Sequence, residues 1–170
     1  MPKKASKLIK GAYAPDDFYR ALGAAILEFS KVDASLFRLF YFLVARDMAD
    51  VKVIGTIYYS FENFRPRLSM VGRLIEERVT DKGHLAEWKK VDKHVGALAG
   101  KRNLLAHKTA SARFAPDNSF ELLLDYEMMR PAKLRKGLEE PFDSMKIEAV
   151  AEEFRDAATR IEAFTDRIAT

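Results

Sequence analysis

The amino-acid sequence predicts an all-α fold: an up-and-down bundle of four to five helices with a short β-hairpin insertion after the third long helix. Three observations lead there. Apolar residues recur at three- and four-residue steps over long stretches, the period of an amphipathic helix. One short segment carries the extended runs and central turn cluster of a hairpin. The last 25 residues step 3-4-3-4-3-4, the seam expected of near-antiparallel helices in a bundle.

Each element follows from local pattern. Pro15-Asp16-Asp17 reads as a helix start, with carboxylates placed to meet the helix dipole. Phe18, Leu22, Ala25, Phe29, Val32, Leu36, Phe40 and Leu43 then trace a long first helix to about Arg46. Ile54, Ile57, Tyr58, Phe61 and Phe64 suggest a second helical stretch, which Pro66 is expected to kink or end. The pattern resumes at Leu68, Val71, Leu74, Ile75 and Val79, with Gly72 on the apolar side to allow a close helix contact. Lys82-Gly83 separates this from the third long helix, which runs to Lys108. Ala112-Arg113-Phe114-Ala115 and Phe120-Glu121-Leu122-Leu123-Leu124 flank the turn-forming Pro116-Asp117-Asn118-Ser119. Residues 131–142 read as an irregular connection, and Ile147, Val150, Phe154, Ala157, Ile161, Phe164 and Ile168 form the final helix.

Composition narrows the function classes. With 170 residues, 48% hydrophobic and 32% charged, the chain can build one core, and a single helical domain over residues 15–170 is expected. A flexible basic tail over residues 1–14, bearing Lys3, Lys4, Lys7 and Lys10, precedes it. The absence of cysteine excludes disulfides and thiolate metal sites, and three histidines leave little material for zinc or iron. No metal or cofactor is expected. The tail lacks the apolar stretch of a secretory signal, and the most apolar run, Leu36 to Ala45, falls far short of the roughly 20 residues that span a bilayer. A cytoplasmic protein with no membrane association is expected, and the apolar surplus of that run suggests a further buried interface. No Gly-rich phosphate loop, Ser/His/Asp set or paired-carboxylate motif is present.

The net charge is +4, unevenly spread: residues 1–110 carry 20 Lys and Arg against 12 Asp and Glu. Such a bias raises the local concentration of a polyanion. It also coincides with the segment Arg102-Asn103-Leu104-Leu105-Ala106-His107. On the third long helix Trp88, Val91, Val95, Leu98, Ala99, Leu105 and Ala106 form an apolar stripe, and Arg102 falls near its middle. A core-facing guanidinium costs several kcal/mol or more (about that scale) unless paired or open to a cleft. Asp33 is a matching anomaly on the stripe of Phe29, Leu36 and Phe40, so an Asp33–Arg102 pair between the first and third long helices is expected. Asn103 and His107 share a helix face, whereas Arg102 and His107 diverge by about 140°; one chain alone does not aim both at one atom, but a symmetric dimer brings two copies together.

Arginine, a polar residue and then histidine, with R-x4-6-H spacing at the end of the third long helix of an all-α bundle, resembles the HEPN superfamily. The resemblance covers the hexapeptide, the helical order and an acidic residue in the first helix. It implies a metal-independent endoribonuclease, in many members a toxin of a toxin-antitoxin or antiphage system, acting on RNA as a homodimer and in some cases held by an antitoxin or regulatory protein. It assigns Arg102 and His107 as catalytic and Asn103 as supporting; the expected ion pair adds Asp33 as the residue orienting Arg102. The residue types suit the chemistry. RNA carries its own nucleophile, so a base, an acid and a positive clamp on phosphate suffice; histidine titrates near neutral pH and arginine presents a planar fork of donors. The expected products are a 2′,3′-cyclic phosphate and a 5′-hydroxyl end. The alternative reading is a non-catalytic helical module that binds a partner protein or nucleotide. Among other polar residues, His84 and His94 are expected at the surface. Tyr58 and Trp88 are expected in the core. Tyr59 is noted with them as an aromatic able to stack on bases.

Overall fold

A computed structural model of the chain describes residues 15–45, 50–114, 116, 120–125 and 142–169. Five helices and one hairpin follow in order: α1 (Pro15–Val44), α2 (Val51–Tyr59), α3 (Phe64–Arg78), α4 (Lys82–His107), β1 (Thr109–Phe114), β2 (Phe120–Asp125) and α5 (Ser144–Ala169). This is the helical bundle with a short β insertion that the periodicities predict. The tail over 1–14, the turn residues 117–119 and the connection over 131–141 lie outside the described residues.

Helix starts follow the side chains available to cap them. Asp50 accepts hydrogen bonds from the backbone N–H of Lys52 at 2.8 Å and Val53 at 3.4 Å, and Asp81 accepts from that of His84 at 2.8 Å; both satisfy donors that a first turn leaves open. The Asp143 carboxylate does the same for Lys146 at 2.7 Å, at the start of α5. Two boundaries differ from expectation. Helix α4 begins at Lys82, so Lys82-Gly83 belongs to its first turn; a side chain at Gly83 would meet the capping Asp81 carboxylate at 3.0 Å. Pro66 neither kinks nor ends a helix, because the break comes earlier, over residues 60–63, and Pro66 occupies the first turn of α3. There its missing N–H has no intrahelical partner to lose.

The core runs along α1. Phe18, Phe29, Val32, Leu36 and Phe40 meet Ile147, Phe154, Ala157, Ile161 and Phe164 of α5, all buried. Phe29 sits edge-on to Phe154 at 5.1 Å and to Phe64 at 5.0 Å. Trp88 packs against Phe164 at 5.3 Å, and a side chain at Gly72 would touch the Trp88 indole at 3.4 Å, the close contact expected there. Helix α5 is antiparallel to α4, with Lys101 paired to Glu153 at 2.7 Å and Glu87 to Arg167. Its main partner, α1, runs parallel to it: Glu28 meets Arg155 at 3.3 Å, Ser35 donates to Glu162 at 3.0 Å and Arg38 meets Asp166 at 3.3 Å. The 3.5-residue seam therefore serves both directions, since it sets crossing angle and not polarity.

The hairpin pairs β1 with β2 from Thr109–Asp125 to Phe114–Phe120. It anchors to the bundle through buried Leu124 and half-buried Leu122, which pack against the core, and Leu124 exchanges backbone hydrogen bonds with Phe142. Within the apolar run over 36–45, Leu36, Leu39, Phe40 and Leu43 are buried and Phe37, Tyr41, Phe42 and Val44 half-buried, so this segment is largely covered within one chain. The exposed large apolar side chains lie elsewhere, among them Tyr19, Leu27, Val51, Val53, Ile57, Phe114 and Phe120. Among the described residues no helix is long and apolar enough to cross a membrane.

The α1–α5 seam should dominate stability. Phe154→Ala is expected to lower the unfolding free energy by about 3–5 kcal/mol, and Met145→Ala, on the exposed side of α5, by no more than about 0.5 kcal/mol; urea titration checks both, and equal losses would contradict this placement of the core.

Candidate active site

The site is built where α1, the α2–α3 corner and the second half of α4 converge. Asp33 lies on the α1 face that turns toward α2 and α3. Its carboxylate is held from two sides: Tyr58 donates its hydroxyl to Oδ1 at 2.8 Å, and the Arg67 guanidinium donates to Oδ2 at 2.6 Å. Arg67 also donates through Nε to the carbonyl oxygen of Phe61 at 2.8 Å. Its guanidinium carbon stands 5.4 Å from the centre of the Tyr58 ring and 5.1 Å from that of Tyr59. With side chains only 21% and 13% exposed for Asp33 and Arg67, this is a semi-buried pair in which each charge has several compensating contacts.

The expected Asp33–Arg102 pair is therefore not formed. Arg67 takes the carboxylate because α3 approaches α1 directly at this level, while α4 stands behind Phe29. Arg102 is half-exposed, with its guanidinium over the Phe29 ring at 5.9 Å and a long hydrogen bond of 3.4 Å from Nη1 to Asn103 Oδ1. Among the described residues no carboxylate lies within ion-pair distance of it. Its charge is tolerated on the apolar stripe because the side chain opens onto a groove there.

That groove has a volume of about 530 Å³. Ser30, Asp33 and Ala34 of α1 form one wall over a floor of Phe29 and Ala99. Arg102 and Asn103 of α4 form another, and Tyr59, Glu62, Asn63, Phe64, Arg65 and Arg67 of the α2–α3 corner form the third. Three arginines face two carboxylates, and Asp33 and Arg67 already neutralise each other. Burial, followed by the Asp33 charge, pushes the hydroxyls of Tyr58 and Tyr59 above their ordinary range, so both stay neutral donors near pH 7.

Of the residues singled out in the sequence, Arg102, Asn103 and Asp33 line this groove and His107 does not. His107 is exposed as the last residue of α4, and the next residue, Lys108, caps the helix with its backbone N–H on the Leu104 carbonyl at 3.0 Å. Divergence of Arg102 and His107 around the helix axis accounts for the separation. His84 and His94, expected at the surface, are each half-buried; His84 approaches Asp81 at 3.9 Å and the edge of Phe164 at 6.4 Å. Tyr58 and Trp88 are core residues, as expected.

Arg67, Arg65, Asn63 and Glu62 escaped the sequence reading because Glu62 and Asn63 fell within the expected second helical stretch, and Arg65 and Arg67 at the kink or end expected at Pro66. A usable signal was present. Arg67 precedes Val71 and Ile75 by four and eight residues, so it too is a charge on an apolar helix stripe, and it offered a second candidate partner for Asp33.

Removing the clamp should cost more than removing the motif arginine. Arg67→Ala is expected to destabilise the fold by about 3 kcal/mol, as it strands a half-buried carboxylate, and Arg102→Ala by less than about 1 kcal/mol. Thermal and denaturant unfolding compare the two, and the reverse ranking would place Asp33 with α4. Set against known proteins, the chain matches no family model, no curated protein and no solved structure.

Proposed function

We propose that the protein is a metal-independent endoribonuclease of HEPN type, working as a homodimer in the cytoplasm, with Arg102 and His107 catalytic, Asn103 supporting and Asp33 orienting the α2–α3 corner beside them. The observation that carries the reading is Arg102: a guanidinium on the apolar stripe of α4, without a carboxylate partner among the described residues, beside Asn103 on the wall of an open groove. Such a group is available for phosphate oxygens. In the proposed reaction the 2′-oxygen attacks the adjacent phosphorus and the bond from phosphorus to the 5′-oxygen breaks. A neutral His107 from one copy takes the 2′-hydroxyl proton, and a protonated His107 from the other gives a proton to the leaving oxygen. A toxin or antiphage role, with a neutralising protein partner, is part of the same proposal.

The separation of His107 from the groove calls for a second copy, and α1 offers a surface for one. Tyr19, Gly23, Leu27, Ser30 and Ala34 are exposed at steps of 4, 4, 3 and 4 residues, an uncharged stripe within an arc of about 80°, and Ser30 and Ala34 continue it into the groove. The same separation also favours the second reading, a non-catalytic module binding a partner protein or nucleotide, in which His107 has no role.

Two measurements test the proposal. Purified protein incubated with mixed RNA in EDTA is expected to cleave it, and His107→Ala to be slower by at least about 100-fold; equal cleavage by both, or none by a folded dimer across many RNAs, sinks the nuclease. In sedimentation, Leu27→Arg is expected to convert dimer to monomer, and an unchanged dimer would move the interface away from this stripe.

A further inference from the structure

We propose that the α2–α3 corner, and not the α4 motif alone, forms a subsite for one nucleotide unit of a single strand, with Tyr59 stacking on the base and Arg65, beside Arg102, holding the adjoining phosphate. The assignment rests on the nuclease reading for the class of its ligand and on the groove for its geometry.

Four features of the groove carry it. Tyr59 is 51% exposed although it lines the groove, and its ring is braced by Phe37 at 5.5 Å, by Tyr58 at 5.0 Å and by the Arg67 guanidinium at 5.1 Å. A rigid, half-open aromatic surface of this kind suits a base of any identity, since every base has a π-face. Arg65 is exposed, lines the same groove and, among the described residues, has no carboxylate within ion-pair distance. With Arg67 tied to Asp33, Arg65 and Arg102 are the two cations that an incoming anion can engage. The amide of Asn63 stands at the cap position of α3 without accepting the hydrogen bond that such a residue usually takes, which leaves its donors and acceptor for the edge of a base. The open N–H groups of the first turn of α3 add partial positive charge to the same wall.

Size agrees as well. A groove of about 530 Å³ falls within the roughly 300–1,000 Å³ of sites that hold compact ligands. It suits one nucleotide unit rather than a duplex, whose bases are stacked inward and out of reach of Tyr59. Glu62 on the rim disfavours a second phosphate there, so the strand should pass with one phosphate toward Arg65 and Arg102.

The test is binding without cleavage. A fluorescent single-stranded DNA oligonucleotide, which lacks the 2′-hydroxyl nucleophile, is titrated with wild type and variants whose melting temperatures are compared beforehand. Wild type and Lys89→Gln, a loss of one exposed charge on α4 outside the groove, are expected to bind alike, Arg65→Gln and Tyr59→Ala to bind about tenfold more weakly or worse, and Tyr59→Phe to bind as wild type. Competition by a 5′-nucleoside monophosphate as strong as that by the unlabelled strand identifies a free nucleotide as the source of the same chemistry, and weaker competition identifies a strand. Binding unchanged in folded Arg65→Gln, or no binding of either probe to wild type, overturns the subsite. RNA cleavage that persists in Arg65→Gln at the wild-type rate and KM would leave the nuclease standing without the subsite. Oligonucleotide binding that needs Arg65 and Tyr59, in a protein that cleaves no RNA, would do the reverse.

Discussion

One carboxylate ties three helices together. Asp33 receives a hydroxyl from α2 and a guanidinium from α3, and Arg67 extends the network to the Phe61 carbonyl in the turn between them. A lone charge on an apolar face of α1 would be expensive to desolvate; here the two ionised groups meet each other, and the Tyr58 hydroxyl, the Phe61 carbonyl and the Tyr58 and Tyr59 rings add further compensating contacts. Such a pair adds little to net stability compared with an apolar replacement, but it penalises every alternative packing that leaves either charge alone. It thereby sets where the α2–α3 corner sits against α1.

The groove follows from that setting. Because Arg67 is drawn toward Asp33, the corner stands off from α4 at the level of Arg102, and the gap is floored by Phe29 and Ala99. Arg102 then rests over an aromatic ring at the mouth of a cavity, where a guanidinium can keep part of its hydration. Had Asp33 taken Arg102, as the sequence led us to expect, that cation would have been spent on helix register. The clamp and the free arginine are thus two consequences of one choice of partner, and the second gives the proposed chemistry its phosphate-binding group.

The bundle's long helices and their buried faces were legible because each is a periodic property of contiguous residues, and Phe18 to Leu43 and Ile147 to Phe164 carry it without interruption. The hairpin was legible from its turn cluster and its two short extended runs. The break between α2 and α3 was misplaced because proline was read as a breaker, whereas Asn63-Phe64-Arg65-Pro66 puts it inside a first turn, where it costs nothing. That misreading hid the corner, and with it Arg65, Arg67 and Asn63. The parallel course of α1 and α5 was equally hidden, since a heptad-like seam has the same spacing whichever way its partner runs.

By itself the sequence determined which residues are anomalous: Asp33 on the stripe of α1, Arg102 on that of α4 and, unnoticed, Arg67 on that of α3. It also determined that Arg102 and His107 leave their helix in different directions, because the angle between them depends only on the number of residues separating them. Only the tertiary structure decided which anomaly answers which. Pairing depends on the height and rotation of one helix against another, and those are set by Phe29, Phe64 and Phe154 packing together across elements distant in sequence. On that packing Asp33 faced Arg67, and Arg102 faced an open groove.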